Sequence, residues 1–137
     1  MKKDGFDTKS NGVLYAKHGG KVTQDDFAHE QNLIVKENGK TLLMSGCSHA
    51  GIVNILTKAE EIVGGKIDTT IGGFHLYNPP TKKYESAELI DALSVALNQK
   101  NGKFYTCHCT GARAYEQMKN ILGDRLCSLS AGAEIEL

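Results

Sequence analysis

The chain has 137 residues, enough for one domain that buries roughly two-thirds of its unfolded surface. Its 16 basic and 16 acidic residues cancel, and no basic run exceeds two residues, so the electrostatic footprint of a nucleic-acid-binding surface is absent. No apolar run approaches the ~20 residues of a membrane helix, and Met1 leads into polar residues without a signal-peptide pattern, so we expect a cytoplasmic protein without nucleic-acid or membrane partners.

The sequence contains four cysteines: Cys47, Cys107, Cys109 and Cys127. Without an export signal we expect them to be reduced thiols rather than disulfides. Cys107 and Cys109 flank His108, but the paired spacings that mark a closed structural zinc site are missing. The pattern therefore disfavours a structural zinc knuckle.

Residues 1–24 are rich in Lys, Gly, Asp and Asn and predict a loop-rich segment with one short strand at residues 13–15. His18, beside two glycines, is expected in a solvated loop. Residues 25–31 are dense in polar side chains just before the next strand. They form either a solvated entry loop or a set of ligands and supporting acceptors at a site, and both interpretations stay open.

Residues 32–35 and 41–45 predict an antiparallel hairpin, because Asn38 and Gly39 readily take the positive φ angles of a type I′ turn. The strand at 41–45 also opens the first of three strand–turn–helix units. The predicted strands are 41–45, 67–71 and 103–106, and the predicted helices are 51–63, 86–99 and 112–122. The first helix has an apolar stripe of Ile52, Ile55, Leu56, Ala59 and Ile62. Two short strands, 126–129 and 133–137, end an α/β fold.

Each of the three units places one histidine just after its strand: His49, His75 and His108. If the strands are parallel, the three imidazoles come out at one edge of the sheet. A single histidine at a strand end is more often structural, but three at equivalent points favour a shared site. Imidazole clusters suit zinc, iron, manganese or nickel, and such a metal can activate water for hydrolysis.

Four motifs in order carry a family resemblance: residues 25–33, 46–52, 72–76 and 107–111. Together they resemble the metallo-β-lactamase-fold hydrolases. The nearest branch is that of the metal-dependent hydrolases similar to the dihydropterin ribofuranosylaminobenzene phosphate synthases. The resemblance implies that residues 25–137 form the carboxyl-terminal half of an αββα sandwich, with a mixed sheet and helices packed on one face.

The resemblance also implies a site for a divalent metal, zinc first, with manganese or iron as alternatives. Its expected ligands are His49, His108 and then His75, while the catalytic groups stay unassigned. Residues expected to support the ligands or contact substrate are Cys47, Ser48, His29, Glu30, Cys109 and Thr110. Because supporting residues typically cost only about 10–100-fold in metal affinity, Cys47→Ala should weaken binding less than His49→Ala or His108→Ala.

One departure from the family is decisive for the functional expectation. Family members carry an H-x-H-x-D-H motif in their amino-terminal half, and this motif is absent from the sequence. We therefore expect an incomplete half: a gene fragment, a truncated gene model or one piece of a two-chain protein. Its uncovered sheet face should self-associate or dock the missing half.

The favoured function is a metal-dependent hydrolase that uses metal-activated water on a phosphorylated or ester-type small molecule, incomplete or inactive as this chain alone. One alternative is a non-catalytic fragment or complementing subunit. Another is a thiol-dependent enzyme, with Cys47 or Cys109 as nucleophile and His49 or His108 as base. Metal content separates the hydrolase from the thiol enzyme, and activity of the purified chain separates both from the complementing subunit.

Overall fold

The structure is a computed structural model that describes Phe6 and residues 8–136. Its strands are β1 (Tyr15–His18), β2 (Lys21–Gln24), β3 (Asn32–Glu37), β4 (Lys40–Ser45), β5 (Thr69–Gly72), β6 (Tyr77–Asn78), β7 (Lys83–Tyr84), β8 (Lys103–Thr106) and β9 (Leu126–Ser128). The helices are α1 (Ile52–Val63), α2 (Ala87–Asn98) and α3 (Ala112–Leu122), with short 3₁₀ turns at Lys9–Val13, His108–Thr110 and Gly123–Arg125.

Five of these strands form one mixed sheet in the order β3-β4-β5-β8-β9. β3 runs antiparallel to β4, whereas β4, β5, β8 and β9 are parallel neighbours. The remaining strands form two small antiparallel pairs, β1 with β2 and β6 with β7. The carboxyl ends of β4, β5 and β8 therefore lie at one edge of the sheet, as the sequence predicts.

The β3–β4 hairpin and the strand–turn–helix units confirm the sequence-based elements. Asn38 and Gly39 have φ angles of 49° and 76°, the two positive values that a type I′ turn requires. Ser86 caps α2 by accepting a hydrogen bond from the Leu89 N–H, and Gly64 ends α1 in the left-handed conformation. These local signals place the helix ends within a residue of their predicted positions.

All three helices pack on one face of the sheet. Residues of the five strands that face them form one row in register: Ile34, Leu43, Thr70, Phe104 and Leu126. Leu43, Phe104 and Leu126 are fully buried and join one apolar core with side chains from α1, α2 and α3. Burial of such side chains contributes roughly 1.5–3 kcal/mol each.

The opposite face of the sheet is open. Its central row, also in register, consists of Leu33, Met44, Ile71, Tyr105 and Cys127. Leu33 is 57% exposed and Met44 is 41% exposed. None of the described helices covers this apolar row. The fold is thus one mixed sheet with helices on a single face, which confirms the expected fold class.

The structure corrects the sequence prediction at three places. In α1, Ile62 is 67% exposed, because Val63 packs against the core in its place. The strand predicted at 13–15 lies further along as β1, paired with β2 across the positive-φ residues Gly19 and Gly20. The strand predicted at 133–137 does not form over 133–136, and Leu137 lies outside the described residues.

In the amino-terminal segment, residues 1–5 and 7 likewise lie outside the described part of the chain. Across Phe6 and residues 8–136, no helix is long and apolar enough to cross a membrane.

Candidate metal centre

The turns after β4, β5 and β8 meet at one edge of the sheet and are tied together by backbone hydrogen bonds. The Gly73 N–H donates to the Gly46 carbonyl at 2.8 Å, and the Leu76 N–H donates to the Cys109 carbonyl at 2.9 Å. Ser48, His75 and His108 have φ angles of 57°, 51° and 49°. Left-handed backbone at non-glycine residues costs about 1–3 kcal/mol each and is concentrated at functional sites.

His49 and His75 come together in the first part of this edge. Their ring centroids are 4.5 Å apart at an interplanar angle of 62°. His75 is only 6% exposed, and among the residues that the structure describes neither of its ring nitrogens has a hydrogen-bond partner. Burial, and then the neighbouring His49, lower the pKa of His75 below its usual value. A buried, neutral and unpartnered imidazole is a ligand available to a metal ion.

Glu30 holds the His49 turn in place. Its two carboxylate oxygens accept hydrogen bonds from the backbone N–H groups of His49 and Ala50, at 2.6 and 2.9 Å. The same carboxylate lies 3.2 Å from Nδ1 of His49. A carboxylate at one ring nitrogen orients a histidine so that the other nitrogen can bind a metal. Glu30 therefore fixes the backbone of the turn that carries His49 and contacts the imidazole itself.

Two further side chains enclose His49, and neither is among the residues predicted for the site. Phe27 stacks on the imidazole with centroids 4.4 Å apart and planes 7° apart. Asn11 donates through Nδ2 to the His49 carbonyl at 2.7 Å. Its Oδ1 is buried and has no partner within the described part of the chain. Phe27 belongs to a quoted motif, but Asn11 carries no sequence signal because its contact spans 38 residues.

The second part of the edge gathers two thiols and an imidazole. Sγ of Cys47 lies 3.6 Å from Nδ1 of His108, and Sγ of Cys109 lies 3.7 Å from the Cys47 carbonyl. The three possible ligand atoms of Cys47, His108 and Cys109 all lie within 4.8 Å of one another. Cys109 is buried, Cys47 is half-buried and His108 is exposed. Burial, and then the nearby Cys47, raise the pKa of Cys109 to about 12.

The other predicted site residues lie around these clusters rather than in them. Ser48 is fully buried and its hydroxyl pairs with Ser45 at 2.8 Å. Thr110 accepts a hydrogen bond from the Phe74 N–H at 2.9 Å and so supports the turn that carries His75. The His29 side chain is 70% exposed, and its Nδ1 lies 3.7 Å from an Asp25 carboxylate oxygen.

An open cavity of about 350 Å³ adjoins the second cluster. Thr106, Cys107, His108, Tyr115 and Ser128 are among the residues that line it. The cavity lies where the turn after β8 leads into α3, so a molecule bound there reaches His108 directly. Its volume suits a small-molecule ligand.

The chain is similar to known proteins over most of its length. No protein-family model matches the chain. The chain is 33% identical over 132 residues to the 7,8-dihydropterin-6-methyl-4-(beta-D-ribofuranosyl)-aminobenzene-5'-phosphate synthase of Methanocaldococcus jannaschii, a match that covers 96% of this chain and 43% of that protein. An uncharacterized protein of the same organism is 26% identical over 102 residues, which cover 74% of this chain and 35% of that protein.

The structural comparison decides the fold family. The chain matches the crystal structure of a metal-dependent hydrolase of the β-lactamase superfamily with a TM-score of 0.78 and 29% sequence identity, covering 95% of this chain and 51% of that chain. The chain has the fold of half a β-lactamase-superfamily hydrolase. It spans less than half the length of the curated relatives it matches. The resemblance predicted from the four motifs is confirmed.

Proposed function

We propose that this chain supplies one side of a metal-dependent hydrolase site that acts on a small molecule carrying a phosphoester or another ester. The observation that carries the proposal is the environment of His75. Both of its ring nitrogens are buried without a partner among the described residues, and the imidazole of His49 lies against it. A buried polar group without a partner costs about 1–3 kcal/mol, which a bound ion would offset.

The donor set fits a divalent metal. His49 and His75 would hold it, with Glu30 orienting His49 through its 3.2 Å contact to Nδ1. Imidazole ligands suit zinc, with manganese and iron as alternatives. The metal, when bound, would lower the pKa of a water molecule and polarise the ester oxygen. The cavity next to His108 would receive the substrate.

Two imidazoles fall short of a complete catalytic site. A catalytic zinc typically has three protein ligands and an open position, and the H-x-H-x-D-H motif of the resembled family is absent from this sequence. We propose that the remaining ligands come from a second sheet that packs on the open face, at Leu33, Met44 and their row. The chain by itself should then bind metal weakly, hydrolyse little, and run as a dimer or larger species in gel filtration.

The test compares the purified chain alone with the chain mixed with an amino-terminal half that carries H-x-H-x-D-H. Zinc and manganese content and turnover of a model phosphodiester are measured for both samples. Activity should require the mixture and be lost in His49→Ala and His75→Ala, whereas the exposed His29→Ala should retain it. Robust turnover and two tightly bound metals in the chain alone would contradict the proposal, and so would activity that survives His49→Ala.

One contact favours a second candidate, a thiol-dependent enzyme. Cys47 and His108 form a sulfur–imidazole pair 3.6 Å apart. His108 would take the thiol proton as Cys47 attacks an ester carbonyl and would return it to the alcohol that leaves, and water would then hydrolyse the thioester. This function requires turnover in the presence of a chelator and its loss in Cys47→Ser. If the mixture binds metal but neither mechanism gives turnover, the chain is a binding or complementing subunit.

We propose a cytoplasmic location for the protein, because its four free cysteines suit a reducing compartment.

A further inference from the structure

We infer that Cys47, Cys109 and His108 form a second metal centre, a thiolate-containing site for zinc with one open coordination position. The inference goes beyond the proposed function, which draws on imidazoles and does not require the thiols. It also revises the sequence-based expectation, in which Cys47 and Cys109 only supported the ligands. The fold pairs His108 with the thiols and leaves His49 and His75 to the other centre.

The separations between the candidate ligand atoms are close to those expected around a zinc ion. Zinc binds thiolate sulfur at about 2.3 Å and imidazole nitrogen at about 2.0–2.1 Å with tetrahedral angles. Those values place sulfur and nitrogen roughly 3.5 Å apart and two sulfurs roughly 3.8 Å apart. The Cys47–His108 separation is 3.6 Å, and all three ligand atoms lie within 4.8 Å of one another. Small side-chain rotations would close the triangle around an ion.

The backbone holds the two thiols in this arrangement. Cys109 follows β8, and its carbonyl accepts the Leu76 N–H at 2.9 Å. Its sulfur faces the Cys47 carbonyl at 3.7 Å, which ties it to the turn after β4. Gly73 leaves room for that sulfur, because a Cβ at this position would lie 2.5 Å from it. Ligands that are fixed by two strand ends lose little conformational freedom when an ion binds.

The chemistry and exposure of the donor atoms determine which metal ion the site would bind and whether another molecule could reach that ion. Two thiolates and an imidazole favour soft or borderline cations such as zinc over magnesium, calcium or manganese. His108 is exposed and lines the cavity of about 350 Å³, so the fourth position is open to water or a small molecule. Three protein ligands with an open position is the pattern of a reactive zinc rather than a structural one.

The experiment titrates cobalt(II) into the full, reduced chain and records its absorption spectrum. Cobalt replaces zinc in such sites, and thiolate ligands give an intense near-ultraviolet charge-transfer band that imidazole and carboxylate ligands do not produce. We expect the band in the wild type, its loss or at least a tenfold weaker affinity in Cys47→Ser and Cys109→Ser, and a similar loss of affinity in His108→Ala. Zinc should displace the cobalt and abolish the band.

Cys107→Ser and Cys127→Ser are the matched controls, because both thiols lie outside the cluster, and the band should persist in each. Circular dichroism is recorded for every variant. If Cys109→Ser fails to fold, the half-buried Cys47 carries the test. A wild type without the band, or a band that survives Cys47→Ser, would overturn the inference.

His49→Ala and His75→Ala separate this inference from the proposed function. Both variants should keep the cobalt band, since neither imidazole belongs to the thiol cluster. Hydrolysis in the mixture without any cobalt–thiolate band would overturn the second centre alone. A clear band without hydrolysis under any condition would instead count against the proposed function and leave the second centre standing.

Discussion

Two clusters of candidate metal ligands lie at the same edge of the sheet, and they differ in what surrounds them. The His49–His75 pair is enclosed by Phe27, Glu30 and Asn11, all from the chain before β3. The cluster of Cys47, His108 and Cys109 is held by the strand-end turns themselves and opens to a cavity. The histidine pair is supported by side chains of the amino-terminal segment, whereas the thiol cluster is supported by the turns after β4 and β8.

The two clusters should therefore respond separately to changes in side chains that contact only one of them. A change in the segment before β3 should affect the histidines and leave the thiols in place. A change in the backbone of the turns should instead reach both clusters, because the turn after β4 carries both Cys47 and His49. The clusters also differ in solvent exposure, since His75 is 6% exposed whereas His108 is open to solvent. A buried imidazole is held in one orientation by its surroundings, whereas an exposed imidazole leaves room for a molecule bound beside it to exchange with solvent.

The largest expected effect is that of Glu30→Ala. The substitution leaves the backbone N–H groups of His49 and Ala50 without their acceptors and removes the group beside His49 Nδ1. Because each unpaired, part-buried N–H costs about 1–3 kcal/mol, we expect a loss of about 2–4 kcal/mol in the free energy of unfolding, measured in urea. The cobalt–thiolate band should persist, since Glu30 does not contact the thiols.

Glu61→Ala is the matched control for this substitution. Its carboxylate pairs with Lys58 at 2.9 Å on the exposed side of α1. Exposed ion pairs contribute little, so the free energy of unfolding should change by no more than about 0.5–1 kcal/mol. Equal losses for the two substitutions would mean that Glu30 has no special role in holding the His49 turn.

The next largest effect is expected for Gly73→Ala, a substitution beside the thiol cluster that replaces none of its candidate ligands. In Gly73→Ala the new Cβ would lie 2.5 Å from the Cys109 sulfur, which must rotate or move away. Overpacking of this kind costs typically about 1–3 kcal/mol. We expect that loss of stability together with weaker cobalt binding at the thiols, and an unchanged requirement for His49 in hydrolysis by the mixture.

Gly46→Ala tests whether any added methyl group at this edge has the same result. Among the residues that the structure describes, and apart from its own chain neighbours, no heavy atom lies within 4 Å of a Cβ at Gly46. Stability should therefore stay within about 0.5 kcal/mol and the cobalt affinity should be unchanged. If Gly46→Ala weakens cobalt binding as much as Gly73→Ala does, packing against Cys109 is not the cause.

The sequence predicted the strands, turns and helices around this edge well, because their signals are local. Apolar runs, helical periodicity and capping residues such as Ser86 and Gly64 located the three units to within a residue or two. Parallel pairing of β4, β5 and β8 then brought the three histidine-bearing turns to one edge without further information. The signals for the elements depend on residues that are close together in the chain, and the parallel pairing follows from the alternation of strands and helices.

The sequence did not predict that the site divides into two clusters. Positive φ angles at Ser48 and His108 turn neighbouring side chains in directions that regular extended chain would not give. As a result Nδ1 of His108 faces Cys47, although the residue types alone grouped it with the other imidazoles. The contacts of Asn11 and Phe27 with His49 were unpredictable for a second reason, since they depend on how the amino-terminal segment folds back.

The smallest expected effect is a pH dependence that belongs to the histidine cluster alone. Burial, followed by the charge of His49, lowers the pKa of His75 below 6.5, and Glu85, Glu30 and the nearby Ser10 backbone only partly oppose this. In the unfolded chain His75 takes up a proton as the pH falls through 6.5, whereas in the folded chain it does so only at lower pH. The unfolded state thus binds more protons in this window, and the folded state loses stability as the pH falls.

For one proton the slope is at most about 1.4 kcal/mol per pH unit. The prediction is tested by urea unfolding of the metal-free chain between pH 7.5 and 5.5, values chosen to bracket about 6.5. In His75→Asn, which tolerates the positive φ of this position, part of the slope below pH 6.5 should disappear. His18→Asn, at an exposed strand end, should retain it. An identical slope in the wild type and His75→Asn would mean that the buried imidazole already has a proton partner, and would weaken its assignment as a metal ligand.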